Sequence, residues 1–198
     1  MANLKKIELE IIALSHSVSQ THSYAVVLGE VNGLRKFPIV IGAFEAQAIS
    51  VALERMQPNR PLTHDLMKNF MLAFEINLHE VIINNLQEGI FYSKLVCSSN
   101  SDTVEIDSRT SDALALSVRF GCPIYTYEHI IAEVGTVTGN EQYSTEQSKA
   151  EAETDSERDK LSEMEIDQLR ELLDEVLKEE DYLRAIPIRD ELKRREKK

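Results

Sequence analysis

The sequence predicts an α+β fold, with a mainly antiparallel or mixed sheet, packed helices and a C-terminal αα-hairpin. Three observations predict it. Residues 4–14 set Ile7, Leu9 and Ile11 against Lys6, Glu8 and Glu10, the two-residue period of a half-buried strand. Asn32-Gly33 and Gln87-Glu88-Gly89 each separate two strand-like runs and so predict hairpins. Helical spacing appears between these runs, bounded by Pro or Gly.

The elements follow in order. Residues 4–14 form the first strand. Residues 22–31 are apolar and β-branched, and Asn32-Gly33 turns the chain into a return strand over 34–41. Residues 43–57 read as a helix, with Phe44, Ala48, Val51 and Ala52 on one face and Ile49, Leu53 and Met56 beside them. Pro58 and Pro61 break it. A second helix covers 64–74. Strands over 76–86 and 90–99 form the second hairpin, and 103–107 a short strand. Residues 111–120 form a helix ended by Gly121 and Pro123. A short strand over 123–127 and a short helix over 128–134 complete the order βββααβββαβα.

From Thr138 to Lys160 there is one aromatic residue and no Val, Ile, Leu, Met or Phe. Such a stretch cannot bury enough apolar surface to offset its ordering entropy and reads as a linker. Beyond it, Ile166, Leu169, Leu173 and Val176 recur at helical spacing. Glu179-Glu180-Asp181 marks a turn. Tyr182, Ala185, Ile188 and Leu192 define a second helix, whose basic end Lys193-Arg194-Arg195 complements the helix dipole. A hairpin of about 33 residues seldom makes a stable core alone. It calls for a partner, a second copy or docking onto the main domain. The expected organisation is a domain over 1–137, an acidic linker over 138–160 and a helical hairpin over 161–198.

The chain has 198 residues and a net charge of −12. Residues 1–140 carry −5 of it and 141–198 carry −7. An acidic chain has no bulk attraction for nucleic acid or anionic membrane. Cys97 and Cys122 are the two cysteines, too few for a disulfide framework and without zinc spacing. A reduced, cytoplasmic setting is the expectation, with no membrane association. The N-terminus has neither a signal-peptide pattern nor an apolar span. GxGxxG, GxxxxGK[ST] and GxSxG are absent, which leaves nucleotide-driven motors and α/β-hydrolases without support.

Two polar constellations carry chemistry. The first is Glu45, at the opening of one helix, with Arg60-Pro61-Leu62-Thr63-His64-Asp65-Leu66 before the next. Taken singly, Glu45 and Asp65 are carboxylates at helix starts, where the dipole and free N–H groups favour them. Taken together, carboxylates and His64 suit a hard divalent cation or general acid–base work, with Arg60 as a phosphate clamp. The second is Asp107-Ser108-Arg109-Thr110-Ser111-Asp112-Ala113, ending a strand and opening a helix. It reads as a capped junction, or as an anion site built from free N–H groups, hydroxyls and Arg109. An Arg–Asp salt bridge locking the two loops would use the same residues.

The runs Phe37-Pro38-Ile39-Val40-Ile41-Gly42-Ala43-Phe44-Glu45-Ala46-Gln47-Ala48-Ile49, Arg60 to Leu66, and Arg109-Thr110-Ser111-Asp112-Ala113-Leu114-Ala115-Leu116 resemble the bifunctional nuclease (BFN) domain family. The resemblance spans about residues 4–135. It departs from the usual pattern at Thr110, where the family has Pro. It implies DNase and RNase activity, and a site made of Glu45, Arg60, His64, Asp65, Arg109, Ser111 and Asp112. On that reading Glu45, His64, Asp65 and Asp112 are catalytic, and Arg60, Arg109 and Ser111 hold substrate. Glu45, Asp65 and Asp112 could hold Mg²⁺ or Mn²⁺. The run Glu180–Leu192 resembles the UVR motif of the UvrB and UvrC repair proteins, a protein-contact hairpin. Tyr182, Ala185, Ile188, Arg189 and Asp190 are then its partner-binding residues. Pro187 departs from that motif, so the second helix either begins later or is kinked.

The expected function is therefore a nuclease for DNA and RNA. Its partners are the nucleic acid, a protein bound by the hairpin, and further copies in a homo-oligomer. The alternatives are a non-enzymatic oligomeric adaptor and an anion- or nucleotide-sensing regulator, each recruiting a partner through the hairpin.

Overall fold

The computed structural model describes residues 5–16, 23–99, 102–137, 161, 164–179 and 181–196. Its elements are β1 (Lys6–His16), β2 (Ser23–Glu30), β3 (Arg35–Gly42), α1 (Ala43–Leu53), α2 (Thr63–Ala73), β4 (Asn77–Gln87), β5 (Ile90–Ser99) and β6 (Asp102–Arg109). They continue with α3 (Thr110–Phe120), β7 (Ile124–Tyr127), α4 (Glu128–Val134), β8 (Thr136–Val137), α5 (Ile166–Lys178) and α6 (Tyr182–Glu196). The fold is α+β with a mixed sheet, as the sequence predicts. The expected linker over 138–160 lies outside the described residues.

The strands form one sheet in the order β6-β5-β4-β7-β1-β2-β3-β8. Every neighbouring pair is antiparallel except β4 with β7. The sheet is strongly curled. β5 and β3 stand five strands apart in that order, about 24 Å in a flat sheet at the usual spacing of about 4.8 Å. Yet the rings of Phe37 on β3 and Phe91 on β5 stack with centroids 5.5 Å apart. Only a sheet bent back on itself permits that contact. The curl wraps α3, whose Thr110, Ala113, Leu114, Ala115, Leu116 and Ser117 are buried.

Two clusters of buried side chains fill the domain. One joins Leu9, Val26, Leu28, Phe37 and Ile39 of the first three strands to Ile49, Ile83, Leu114 and Ile131. The other joins Met71 of α2 to Leu78, Val81, Leu95, Cys97 and Leu116. Cys97 is thus a small core residue. Cys122 is half-buried, and burial pushes its thiol up to about 11, which leaves it protonated at neutral pH.

The hairpin turns behave differently. β4 and β5 join through Glu88-Gly89 with φ of 50° and 78°, the left-handed pair a two-residue turn needs. The β2–β3 link instead takes four residues, 31–34. Gly33 is needed there for closeness, because a Cβ would collide with the side chain of Glu30. Glu30 is held by the backbone N–H and guanidinium of Arg35.

Three expectations need correction. The first helix ends at Leu53, not 57. Arg55 turns left-handed at φ 51°, so the chain leaves the helix before Pro58 acts. Phe44 is not on a buried face but 84% exposed, because it lies in the first turn, beyond the core contact of α1. The last strand, β8, is a two-residue pairing with Arg35 and Lys36, too short to leave a sequence period.

The C-terminal hairpin forms as expected. Leu169, Val176, Ala185, Ile188 and Leu192 bury one another, with Met56 packed against them. Arg189 Nη2 donates to Glu54 Oε2 at 2.6 Å, so the hairpin docks at the C-terminal end of α1. α6 begins at Tyr182 and runs through Pro187, rather than starting after it. Nothing is described of the Tyr182 side chain. Among the described residues, no helix is long and apolar enough to cross a membrane.

Candidate functional site

Three helices open with a carboxylate at the same place. Glu45, Asp65 and Asp112 are each the third residue of α1, α2 and α3. From that position a carboxylate reaches back to the unpaired N–H groups of the first turn. Asp65 does so, accepting from the Leu62 N–H at 2.9 Å. Glu45 folds back over Gly42, where a Cβ would lie 2.5 Å from its Oε2. α1 and α3 leave β3 and β6 with no intervening loop, through extended caps at Gly42 and Arg109. Strand ends therefore fix these two helix starts directly.

Arg109 joins two of the carboxylates. Its Nε donates to Asp112 Oδ2 at 2.8 Å and its Nη2 to Asp112 Oδ1 at 3.2 Å. Its Nη1 donates to Glu45 Oε1 at 3.1 Å. His64 Nε2 lies 3.0 Å from Asp112 Oδ1. Glu45, Arg109, Asp112 and His64 are thus one connected network. A guanidinium has five N–H donors. Three are spent inside the protein, and the Arg109 side chain is 69% exposed, so two donors face outward. Burial alone would raise the Asp112 carboxyl. Hydrogen bonds from Arg109 and His64 overcome that and hold it below its usual value. The same contact with Asp112 raises Arg109.

Asp65 and Arg60 stand apart from this network. Asp65 Oδ1 accepts from Arg119 Nε at 2.6 Å. Arg119 Nη1 donates to the carbonyls of Ala48 at 2.8 Å and Ala115 at 3.0 Å, while the Arg119 carbonyl accepts from Lys68 Nζ. This guanidinium is only 5% exposed and ties α1, α2 and α3 together beside the site. Its Nη2 is buried with no partner among the described residues. Sequence reasoning missed Arg119. The available signal was a lone cation among Leu114, Leu116, Val118 and Phe120 on a short helix. Arg60 is exposed in the segment between α1 and α2.

The structure pairs the three carboxylates expected as metal ligands with arginines. Among the described residues no group of three or more His, Cys, Asp or Glu side chains could hold a metal ion. The physical reason is the pairing just given: Asp65 turns to Arg119, and Glu45 and Asp112 are bridged by Arg109 rather than converging on a shared point.

A cleft of about 560 Å³ opens beside the network. Glu45, Arg109 and Ser111 line it, with Asp107 and Ser108. Its walls are the end of β3 from Pro38 to Gly42 and the β4–β5 turn from Gly89 to Tyr92. These walls meet only because the sheet curls. Thr110 pins the junction. Its hydroxyl lies 2.7 Å from Ser93 Oγ and donates to the Phe91 carbonyl at 3.0 Å. Threonine thus fastens α3 to β5 where proline could make neither bond. His64 and Asp112 stand behind Arg109 in the network.

The model of the bifunctional nuclease domain matches residues 26–139, more than half of the chain. The chain belongs to the bifunctional nuclease domain family. The curled sheet starts earlier than the matched region, since β1 is an interior strand between β7 and β2. The uncharacterized proteins MT1877 and Rv1829 of Mycobacterium tuberculosis, from two strains, are similar to it. Each is 38% identical over 151 residues, which is 76% of this chain and 84% of the relative. The Glu45–Arg109–Asp112–His64 network is charged and borders the cleft through Glu45 and Arg109.

Proposed function

We propose that this protein is a nuclease that hydrolyses phosphodiester bonds in DNA and RNA, with the cleft as its active site. The observation that supports it is Arg109. Its guanidinium is held by Asp112 through Nε and Nη2 and by Glu45 through Nη1, and one N–H on each terminal nitrogen is left for a phosphate. A planar fork of that kind suits a phosphodiester. Glu45 lies beside it in the cleft and takes a proton of the attacking water, whose oxygen bonds to phosphorus as the P–O bond to the leaving sugar oxygen breaks; that oxygen takes its proton from solvent. Asp112 and His64 position Arg109, while Ser111 lines the cleft beside it. Asp65 and Arg119 keep α2 against α3. Arg60 acts as a second phosphate contact for a longer strand.

The finer parts of the reading rest on other observations. The hairpin recruits a protein partner, but not through all the residues expected to bind it: Ala185 and Ile188 are buried within the hairpin and Arg189 is engaged by Glu54, which leaves Asp190 on the exposed side. Self-association uses the outer face of α2, where Leu66, Phe70 and Phe74 are exposed. Light scattering of Phe70→Glu against the parent protein reads that contact.

The test is cleavage of labelled single-stranded DNA and RNA by purified protein with Mg²⁺, Mn²⁺ or EDTA. Arg109→Ala and Glu45→Gln serve as comparisons. Loss of cleavage in both variants, with each still melting cooperatively within several degrees of the parent, supports the reading. Undiminished cleavage in both places the activity elsewhere or in a contaminant. A protein that cleaves under none of the three conditions, yet binds a partner through 161–198, is the adaptor instead.

A further inference from the structure

We infer that the cleft is built for one unpaired nucleotide, its base laid against Tyr92, so that the substrate class is single-stranded nucleic acid. The inference rests on the reading that Arg109 takes a phosphate.

Tyr92 and Arg109 are register partners on β5 and β6. Directly opposed residues of an antiparallel pair point to the same face, with Cβ atoms about 5 Å apart. An aromatic ring therefore stands beside the guanidinium. Ile90, two residues before Tyr92, shares that face, and the left-handed Gly89 turn places it at the tip of the β4–β5 hairpin. Val40 belongs to the opposite wall. Ile90, Val40 and Tyr92 are 59%, 53% and 37% exposed. Three apolar side chains left in water around one cleft mark a binding surface rather than a core.

The floor is polar. Glu45, Asp107, Ser108 and Ser111 line it beside Arg109. The cleft thus pairs a flat apolar platform with an anion anchor and hydrogen-bonding groups. A nucleotide has the same three parts: a flat base, a phosphate and polar edges. A base within a duplex hides its faces by stacking and cannot lie on Tyr92 without leaving the helix. The acidic balance of the chain points the same way, since it provides no extended basic surface to hold a duplex backbone.

The test measures binding by the full chain in EDTA, with cleavage assayed separately. The probes are a short single-stranded oligonucleotide, the same sequence as a duplex, a nucleoside monophosphate and inorganic phosphate. The single strand is expected to bind at least tenfold more tightly than the duplex. Tyr92→Ala is expected to weaken it about tenfold, while Tyr92→Phe retains it and inorganic phosphate binds all three proteins alike. Ile90→Ser and Val40→Ser, on opposite walls, guard against a folding defect at Tyr92 and should each weaken the single strand. Equal affinity for single strand and duplex overturns the proposal, as does unchanged binding in Tyr92→Ala, Ile90→Ser and Val40→Ser. Failure of the nuclease reading looks different: Tyr92-dependent nucleotide binding then persists in a protein that cleaves nothing.

Discussion

Replacing Asp112 by Asn keeps the size of the side chain and removes its charge. In the parent protein its carboxylate accepts two hydrogen bonds from Arg109, at 2.8 and 3.2 Å, and meets His64 Nε2 at 3.0 Å. Charge-assisted hydrogen bonds contribute about 1.5–3 kcal/mol when sheltered, and exposed ion pairs about 0–1 kcal/mol. Asp112 is largely sheltered and Arg109 largely exposed, so the expected loss is about 1–2 kcal/mol. For a chain of this size that lowers Tm by about 2–8 °C. The loss should depend on pH. The folded Asp112 carboxyl sits below its usual value, despite burial, because Arg109 and His64 hold its charged form. The unfolded chain therefore binds the proton more readily, and the stabilisation is complete above about pH 4. It fades as the pH falls through the folded value. Thermal melts of parent and Asp112→Asn from pH 7 to pH 3 read both effects. A gap in Tm that stays constant down to pH 3, or that is absent at pH 7, refutes the reasoning.

Further outcomes follow from other contacts. Gly42→Ala places a Cβ 2.5 Å from Glu45 Oε2; it should shift Glu45 off Arg109 and cut turnover several-fold, with Tm lowered by only a few degrees. Arg119→Met removes the buried guanidinium that ties Asp65 to the Ala48 and Ala115 carbonyls; leaving Asp65 without its partner should cost about 3 kcal/mol, read by urea denaturation. Glu54→Ala breaks the 2.6 Å bond to Arg189; hydrogen exchange in α5 and α6 should quicken while β4 and β5 stay protected.

How far the sequence carried depended on the distance over which each feature is encoded. The Glu88-Gly89 turn was legible because both its positions need left-handed backbone and adjoin the strands they join. Asn32-Gly33 also marked a real hairpin, β2 with β3, but of another turn geometry, because there the glycine serves close approach to Glu30 rather than a positive φ. The Arg109–Asp112 pairing follows from spacing along one helix start. The Asp65–Arg119 pairing does not, since 54 residues and the strands β4, β5 and β6 separate them in the chain. Three helix-start carboxylates suggested a metal site because they are the same chemical group in the same helical position. Their partners were set by tertiary packing, which turned one toward Arg119 and bridged the other two through Arg109. The cleft was the least legible feature. Its two walls come from β3 and the β4–β5 turn, and only the curl marked by the Phe37–Phe91 stack brings them together.

On the proposed function, Arg109, held by Asp112 and Glu45, receives the phosphodiester in the cleft. The most direct measurement is cleavage of a labelled single strand by Arg109→Ala beside the parent protein, at low and high salt. The variant should show a kcat/KM lower by about a hundredfold or more and a melting temperature within a few degrees of the parent, and the parent activity should fall as salt rises. Cleavage by Arg109→Ala at the parent rate, with the same dependence on salt, would contradict the proposed function.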